Sequence, residues 1–263
     1  MTDTSVAPST KRPLSILLHA DSKKGKSTLG ATSPLPIVVL DAEGGWYFMG
    51  NSPTLTAIYG RPLRIIRWDP CAGPPPVYDG TWEICVALIQ SWQALQCAYN
   101  WLVQGQHSFR SLVVDSITEI QRRCKQNLVA PTEEMRQQHW GSLLTLMDGV
   151  IRGLRDLKDF PHNPIEVVVF IAETRIIDGK WRPYLQGQIV TALPYWMDIV
   201  GYLFVETVSD ENGQPLADVR RLLIGPHPLY EAGERVQGVL GGVIDRPNIT
   251  FMVQQIYAQS NGG

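Results

Sequence analysis

Residues 20–28 have the spacing of a phosphate-binding loop, and they directly follow an apolar run of strand length. The pattern G-x-x-x-x-G-K-[ST] bends the backbone so that its N–H groups and a lysine meet phosphate oxygens. Gly25, Lys26 and Ser27 match its second half, whereas Ala20 occupies the first glycine position. An exposed lysine-rich turn is the alternative interpretation. The predicted nucleotide-binding residues of this loop are Asp21, Ser22, Lys23, Lys24, Gly25, Lys26, Ser27 and Thr28.

Two acids follow the next apolar run, in the sequence Asp41-Ala-Glu43-Gly-Gly. The carboxyl ends of parallel strands face the ligand crevice, so carboxylates placed there lie beside bound phosphates. A carboxylate that reaches the attacking water can orient it and accept its proton. We assign this catalytic role to Glu43. The alternative is that Asp41 and Glu43 only cap the following turn.

A third acid, Asp115, ends the short apolar run Leu112–Val114. A hard cation prefers oxygen ligands, and Mg²⁺ in phosphate-loop proteins lies between such an aspartate, the loop hydroxyl and the phosphates. We therefore predict that Asp115 and Ser27 hold Mg²⁺. Many strands end in Asp, so this prediction depends on the order of all three segments.

Apolar runs alternate with segments of helix length, which favours a mostly parallel sheet with helices on both faces. The predicted strands are Leu14–Leu18, Pro36–Leu40, Arg64–Trp68, Leu112–Val114, Glu166–Ile171 and Ile199–Val205. Apolar residues spaced three and four apart predict long helices over Thr81–Gln104 and Glu133–Leu157. Prolines and glycines make 69–80 a loop. Residues 1–13 are expected to form a flexible arm, and 14–263 a single domain.

Composition excludes several classes of protein. The chain has 263 residues, 44% of them hydrophobic, and a net charge of −2, so it lacks the overall basic field of many nucleic-acid binders. Four cysteines without a C-x-x-C pair are expected to be reduced thiols that hold no metal and form no disulfide framework. No apolar run approaches the ~18 residues of a membrane span. We expect a cytoplasmic protein without membrane contact.

The order of these segments resembles the ATPase core of RecA-type recombinases. The resemblance covers residues 14–206 and implies a RecA-like P-loop fold that binds ATP and Mg²⁺, with Lys26 and Glu43 as catalytic residues and Asp115 as a support for the metal ion. Val169-Phe-Ile-Ala-Glu173-Thr-Arg resembles the family strand that ends in a γ-phosphate sensor. Glu173 stands where these recombinases usually carry glutamine, and a carboxylate there would repel the γ-phosphate unless a cation intervenes.

The resemblance also implies two DNA-binding loops, at Ile117–His139 and Arg175–Val190. Basic and aromatic side chains suit single-stranded DNA, because cations neutralise phosphates and rings stack on bases. The candidate DNA-binding residues are Arg122, Arg123, Arg175, Lys180, Trp181 and Arg182. For each of them a solvated surface position is the alternative. Arg220, Arg221 and Arg235 come late in the chain and are candidates to reach a neighbouring subunit's nucleotide.

The segments Asp-Ala-Glu-Gly-Gly, Leu193–Asp198 and Ala232–Arg235 are similar to phage nucleotide-binding proteins of the RecA-like single-strand annealing group. This resemblance implies an ATP-dependent recombination protein that binds single-stranded DNA, forms a ring or filament of identical subunits and acts in the host cytoplasm. A single-strand-binding protein is a further candidate partner. The alternatives are another P-loop motor or helicase loader, or a nucleotide-binding module with weak hydrolysis.

Overall fold

The apolar runs of the sequence form the strands of one 11-stranded sheet in the computed structural model, which describes residues 12–130, 132–211 and 214–260. The arm predicted for 1–13 lies outside the described residues apart from Arg12 and Pro13. The strands are β1 Leu14–Ala20, β2 Ile37–Asp41, β3 Ile65–Trp68, β4 Ile84–Leu88, β5 Ser111–Asp115, β6 Val167–Ile177, β7 Lys180–Pro183, β8 Ile199–Ser209, β9 Pro215–Leu223, β10 Gly233–Glu234 and β11 Val243–Asp245. The helices are α1 Lys26–Gly30, α2 Pro53–Tyr59, α3 Trp92–Val103, α4 Ile117–Leu128, α5 Gln137–Asp156, α6 Ile189–Trp196 and α7 Ile249–Ser260, with 3-10 turns at Trp46–Asn51 and Leu157–Asp159.

The strand order is β11-β9-β8-β1-β6-β5-β2-β4-β3, and neighbours from β8 to β3 are parallel. Strand β9 pairs antiparallel with β8, and β7 folds back on β6 as a hairpin. The predicted α/β fold with a mostly parallel sheet is confirmed. Because β1, β2, β5 and β6 run in the same direction, the segments that follow them meet at one edge of the sheet.

Both faces of the sheet are covered by helices, so its central strands are buried on both sides. Leu17 and Val38 point to the face covered by α3, α4, α5 and α6. Ile16 and Val39 point to the opposite face, where α2 and α7 pack. Continuous apolar runs are typical of such doubly covered strands.

The segment predicted as one helix over Thr81–Gln104 contains a strand and a helix, so that prediction is wrong in its first half. Residues 84–88 form β4, which pairs with β2 and β3, and α3 begins only at Trp92. The side chain of Ser91 accepts a hydrogen bond from the backbone of Ala94 and caps α3. A short run of consecutive apolar residues satisfies helical and strand spacing alike, and pairing between two strands decides the outcome here.

The helix predicted over Glu133–Leu157 is confirmed as α5, although it begins at Gln137. The first DNA-binding loop, predicted over Ile117–His139, is wrong in its first half, because that part forms the 12-residue helix α4. The Ser116 hydroxyl caps α4 by accepting a hydrogen bond from the backbone N–H of Glu119. The buried residues of α4 pack against the sheet. A helix therefore presents Arg122 and Arg123.

The cysteines differ from the expectation of four reduced thiols. Cys71 and Cys97 form a disulfide that joins the 69–80 loop to α3, with their Cα atoms 5.4 Å apart. Cys85 and Cys124 are buried free thiols. A pair separated by 26 residues leaves no short motif, so spacing alone did not reveal it. Among the described residues, no helix has the length and hydrophobicity needed to cross a membrane.

Candidate functional site

The loop between β1 and α1 has the backbone that the phosphate-loop pattern requires. Ala20 is the extended last residue of β1, in register with Glu173, so this position does not need the freedom of glycine. Lys23 and Gly25 take the left-handed conformations instead, with φ of 61° and 94°. The φ of Gly25 is one that residues with a side chain rarely adopt, so the position favours glycine. A Cβ there would also lie 2.7 Å from Nε of the Arg220 side chain, which would have to shift.

Lys26 is held at the centre of this loop. Its ammonium group donates hydrogen bonds of 3.0 Å to the backbone carbonyl oxygens of Ala20 and Asp21. Burial lowers the pKa of Lys26, and the nearby carboxylates of Glu43 and Asp115 act in the opposite direction. Lys26 thus lies close to the carboxylates of Glu43 and Asp115, and its ammonium group is already positioned for an added anion.

Asp115 lies at the floor of the site and contacts the loop directly. Its Oδ2 accepts hydrogen bonds from the Ser27 hydroxyl at 2.5 Å and from the Trp46 indole at 2.8 Å. Burial raises the pKa of Asp115 to about 6, although the hydrogen bond from Ser27 opposes this shift. A divalent cation would favour the ionised carboxylate at this place.

The two acids after β2 have different environments. Asp41 is buried and accepts hydrogen bonds from the backbone N–H groups of Glu43, Gly44 and Trp46, so it caps the turn. Glu43 is exposed, and its Oε1 accepts a 2.6 Å hydrogen bond from the Ser116 hydroxyl. The capping alternative thus describes Asp41, whereas Glu43 remains open to water.

Glu173 at the end of the buried part of β6 meets a cation. Both of its carboxylate oxygens accept hydrogen bonds from Arg122, at 3.1 and 3.2 Å. Arg122 also pairs with Glu119, as does Arg123. Arg122 thus provides the intervening cation that a carboxylate at this position needs, and the two arginines on α4 are paired with acids.

These residues surround one pocket of about 450 Å³, which we call the phosphate pocket after its predicted ligand. The loop residues that line it are Asp21, Ser22, Lys23, Gly25, Lys26, Ser27 and Thr28, and the other lining residues are Glu43, Met49, Asp115, Glu173, Thr174 and Arg220. Lys24, which the sequence pattern also included, does not line the pocket. The fold therefore brings the three predicted segments together, and their assigned roles remain predictions.

The first part of the predicted second DNA-binding loop, Arg175–Val190, is not a loop but the end of β6 and all of β7, which pair as a hairpin, and α6 begins at Ile189. Arg175 is exposed, and its guanidinium lies 3.8 Å from the centre of the Tyr184 ring. Lys180 and Arg182 lie 3.4 and 3.6 Å from a carboxylate oxygen of Glu231. Trp181 is only partly exposed, and its backbone exchanges hydrogen bonds with residues 229 and 231. Of the four candidates, Arg175 is therefore the most accessible.

From sequence, the late arginines were candidates to reach a neighbouring subunit's nucleotide, without a position in the fold. In the structure, Arg220 lines the phosphate pocket of its own chain. Arg221 pairs with Glu206 and Asp245, and Arg235 donates to the backbone of Tyr195. Only the three-dimensional pairing of β9 with β8 reveals the position of Arg220.

Sequence reasoning also missed the roles of Trp46 and Ser116, which hold Asp115 and Glu43 respectively. The position of Ser116 directly after Asp115, at the end of the same strand, could have indicated that its hydroxyl lies in the site. Trp46 follows the glycine pair after Glu43, but an apolar residue in that position gave no sign of a hydrogen bond to a distant strand.

The donor set fits a magnesium–nucleotide complex. Gly25 exposes the backbone of the loop to the pocket, Lys26 supplies a cation, and Ser27 and Asp115 supply adjacent oxygen donors for a hard metal ion. Among the described residues, no cluster of three or more His, Cys, Asp or Glu side chains forms an independent metal site. Bound phosphates would have to complete the coordination of the metal.

Comparison with known protein families matches residues 12–236 to AAA_24, described as an AAA domain. Among solved structures, the chain is similar to a prototypical ATPase from the type III secretion system of pathogenic bacteria, with 15% sequence identity and a TM-score of 0.40. The alignment covers 73% of this chain and 52% of that one, so the chain spans about half the length of that ATPase. A comparison with curated proteins found no match. The family match includes the whole phosphate pocket and ends before β11 and α7.

Proposed function

The chain belongs to the AAA_24 family of AAA domains, and on that premise we propose that it is an ATPase, which binds ATP with Mg²⁺ and hydrolyses it to ADP and phosphate. The observation that supports this proposal is the convergence of Lys26, Ser27, Glu43 and Asp115 on one pocket. These residues come from three separate segments of the chain.

Each residue has a defined task in this reaction. Backbone N–H groups of the loop and the Lys26 ammonium would hold the phosphate oxygens, and Ser27 and Asp115 would hold Mg²⁺, which when bound would supply positive charge beside the phosphates. Glu43 orients a water molecule and accepts its proton while the water oxygen bonds to the γ-phosphorus and the bond to ADP breaks. The hydrogen bond from Ser116 fixes Oε1 of Glu43 and leaves Oε2 for the water.

The test compares ATP affinity and ATP turnover of Lys26→Ala and Glu43→Gln with the wild type. Lys26→Ala should weaken ATP binding tenfold or more and abolish turnover. Glu43→Gln should keep the affinity and lose about a hundredfold or more of the turnover, since proton acceptance contributes about 10²–10⁴ in rate. Arg152→Ala and Glu134→Gln remove exposed charges outside the pocket and serve as controls. Wild-type turnover in both site variants would disprove the mechanism.

A second function, the binding of single-stranded DNA by the β6–β7 hairpin, is favoured by a specific observation. Exposed Arg175 and Ile176 follow directly after Glu173 and Thr174, which line the phosphate pocket. Tyr184 lies under Arg175 and adds an aromatic ring to this surface. A cation together with apolar and aromatic surface suits a flexible single strand. We propose that subunits assemble with ATP and DNA into a ring or filament that anneals or exchanges strands.

The DNA proposal is tested by oligonucleotide affinity with and without ATP over a range of salt concentrations. Arg175→Ala should weaken DNA binding, lower the log–log salt slope by about 0.7, and leave ATP affinity unchanged. Arg152→Ala should leave DNA affinity unchanged. The molecular mass measured with ATP and oligonucleotide should exceed that of the protein alone. Unwinding of a duplex or stimulation by a partner, without annealing, would instead favour a motor or helicase loader.

A further inference from the structure

A second cavity of about 690 Å³ adjoins the phosphate pocket. We propose that this apolar cavity binds the base and ribose of the nucleotide, an inference that rests on the proposed function. The two spaces share Lys23, Gly25, Thr28 and Arg220 as lining residues. One elongated ligand can therefore place charged phosphates in one space and an apolar ring in the other.

The lining of the apolar cavity differs in chemistry from that of the phosphate pocket. Leu203 and Val205 come from β8, Ile58 from α2 and Phe251 from α7. Ile58 and Phe251 are 43% and 63% exposed, so both present apolar surface at the border of this cavity. A planar base that enters the cavity would cover both, and rings stack favourably on aromatic side chains.

A few polar groups border the same cavity, as expected for a site that orients a small molecule. The carboxamide oxygen of Asn248 accepts the N–H of Phe251, which leaves the amide NH₂ of Asn248 as a donor. One carboxylate oxygen of Asp218 accepts the Thr207 hydroxyl, and the other remains as an acceptor. A donor and an acceptor are thus available for the edge of a base or for ribose hydroxyls.

Arg220 occupies the junction of the two spaces. Its Nε would lie 2.7 Å from a Cβ on Gly25, so the guanidinium rests against the backbone of the phosphate loop. Within the described part of the chain, Arg220 has no carboxylate partner, whereas the adjacent Arg221 has two. An arginine without an acid, placed between a phosphate pocket and an apolar cavity, is positioned to bind the phosphate that joins the two parts of the nucleotide.

The residues that build the far side of the cavity lie beyond the part of the chain that matches the family. Arg246, Asn248 and Phe251 all follow residue 236, where that match ends. The segment 246–251 therefore supplies this chain's own contacts to the base, while the family-matched part supplies the contacts to the phosphates.

The experiment compares the affinities of ATP and of inorganic tripolyphosphate, each with Mg²⁺, by calorimetry. The wild type should bind ATP at least tenfold more tightly than tripolyphosphate. Phe251→Ala should weaken ATP binding tenfold or more and change tripolyphosphate binding less than twofold. Arg220→Ala should weaken both ligands. Phe48→Ala removes an even more exposed aromatic ring outside the cavity and should change neither.

The outcomes separate this inference from the proposed function. If the wild type binds neither ligand, the proposed ATPase function fails. If it binds both equally, or if Phe251→Ala keeps full ATP affinity, the phosphate site stands and the base site is wrong. A loss of ATP affinity in Phe48→Ala instead of Phe251→Ala would also overturn the inference, because the base would then lie elsewhere. Phe251→Leu keeps an apolar side chain without the ring and should show the same selective loss if Phe251→Ala does not fold.

Discussion

Arg122 contacts both oxygens of Glu173 at the rim of the phosphate pocket. From sequence alone, Arg122 was a candidate DNA ligand and Glu173 an unexplained departure from the recombinase pattern. The two residues are 51 positions apart, so no spacing rule links them. Their contact explains why a carboxylate is tolerated at position 173 and what Arg122 does there: the guanidinium offsets a negative charge that would otherwise repel a phosphate.

This pairing predicts a rescue. Arg122→Ala should weaken ATP binding about tenfold, because Glu173 would then face the phosphates without its cation. In the double variant with Glu173→Gln the affinity should return to within about twofold of the wild type. Titrations of ATP against the single and double variants measure this coupling. Equal losses in Arg122→Ala with and without Glu173→Gln would show that Arg122 acts on the ligand directly.

His19 predicts a pH dependence of stability. Its Nε2 donates to the carbonyl oxygen of Glu231 at 2.6 Å, and burial lowers its pKa to about 4. Since a histidine in the unfolded chain has a pKa near 6.5, the unfolded chain binds more protons between these values. This contribution to stability is therefore present at neutral pH and is lost as the pH falls.

From pH 7 to 5.5, the His19 contribution to the free energy of unfolding should fall by about 1 kcal/mol. His19→Gln removes that part of the slope. Denaturant unfolding at several pH values compares it with the wild type. His162→Gln replaces an exposed histidine and should keep the wild-type slope. Parallel pH profiles for His19→Gln and the wild type would contradict the prediction.

At the scale of single elements, the sequence predicted strands better than the boundaries between strands and helices. Runs such as Leu14–Leu18 are buried on both faces of the sheet and are compatible only with a strand. The stretch that contains β4 and α3 is compatible with two structures, because Cys85, Val86 and Ile89 have helical spacing while 84–88 is also an apolar run of strand length. The partners β2 and β3 decide the matter, and they are distant in sequence.

The beginning of α3 can be tested through its cap. Ser91→Ala should lower the free energy of unfolding by about 1 kcal/mol, since an N–H group at the start of the helix would lose its acceptor. Chemical denaturation measures this change. Ser142→Ala lies within α5, where serine is not a cap, and should change stability by less than about 0.5 kcal/mol. If both substitutions have the same effect, Ser91 does not act as a cap.

At the scale of the whole molecule, the order of the strands explains how much of the site was predictable. Lys26, Glu43 and Asp115 each follow a recognisable apolar run, so a parallel sheet implies that they meet. Arg220 and Phe251 reach the same region from β9 and α7. No local sequence pattern indicates where these two elements lie in the fold. Side chains after the parallel strands could therefore be predicted, and those supplied by the antiparallel edge and the last helix could not.

The last helix is also part of the core, although it follows the family-matched residues. Met252 is 2% exposed and packs in the cluster between α7 and the sheet. Met252→Ala should therefore cost about 2–5 kcal/mol of unfolding free energy. Gln254→Ala, on the exposed side of α7, should cost less than about 0.5 kcal/mol. A cost below 1 kcal/mol for Met252→Ala would show that α7 is dispensable for folding.

Strand β6 is at once a wall of the phosphate pocket and one arm of the hairpin. Glu173 and Arg175 are two residues apart, which is about 7 Å along an extended chain, and no linker separates them. Because both residues belong to one continuous strand, a movement of Glu173 is expected to move Arg175 as well. If the proposed ATPase and DNA-binding functions hold, a displacement of Glu173 during ATP turnover would also displace the β6–β7 hairpin, which would couple hydrolysis to DNA binding.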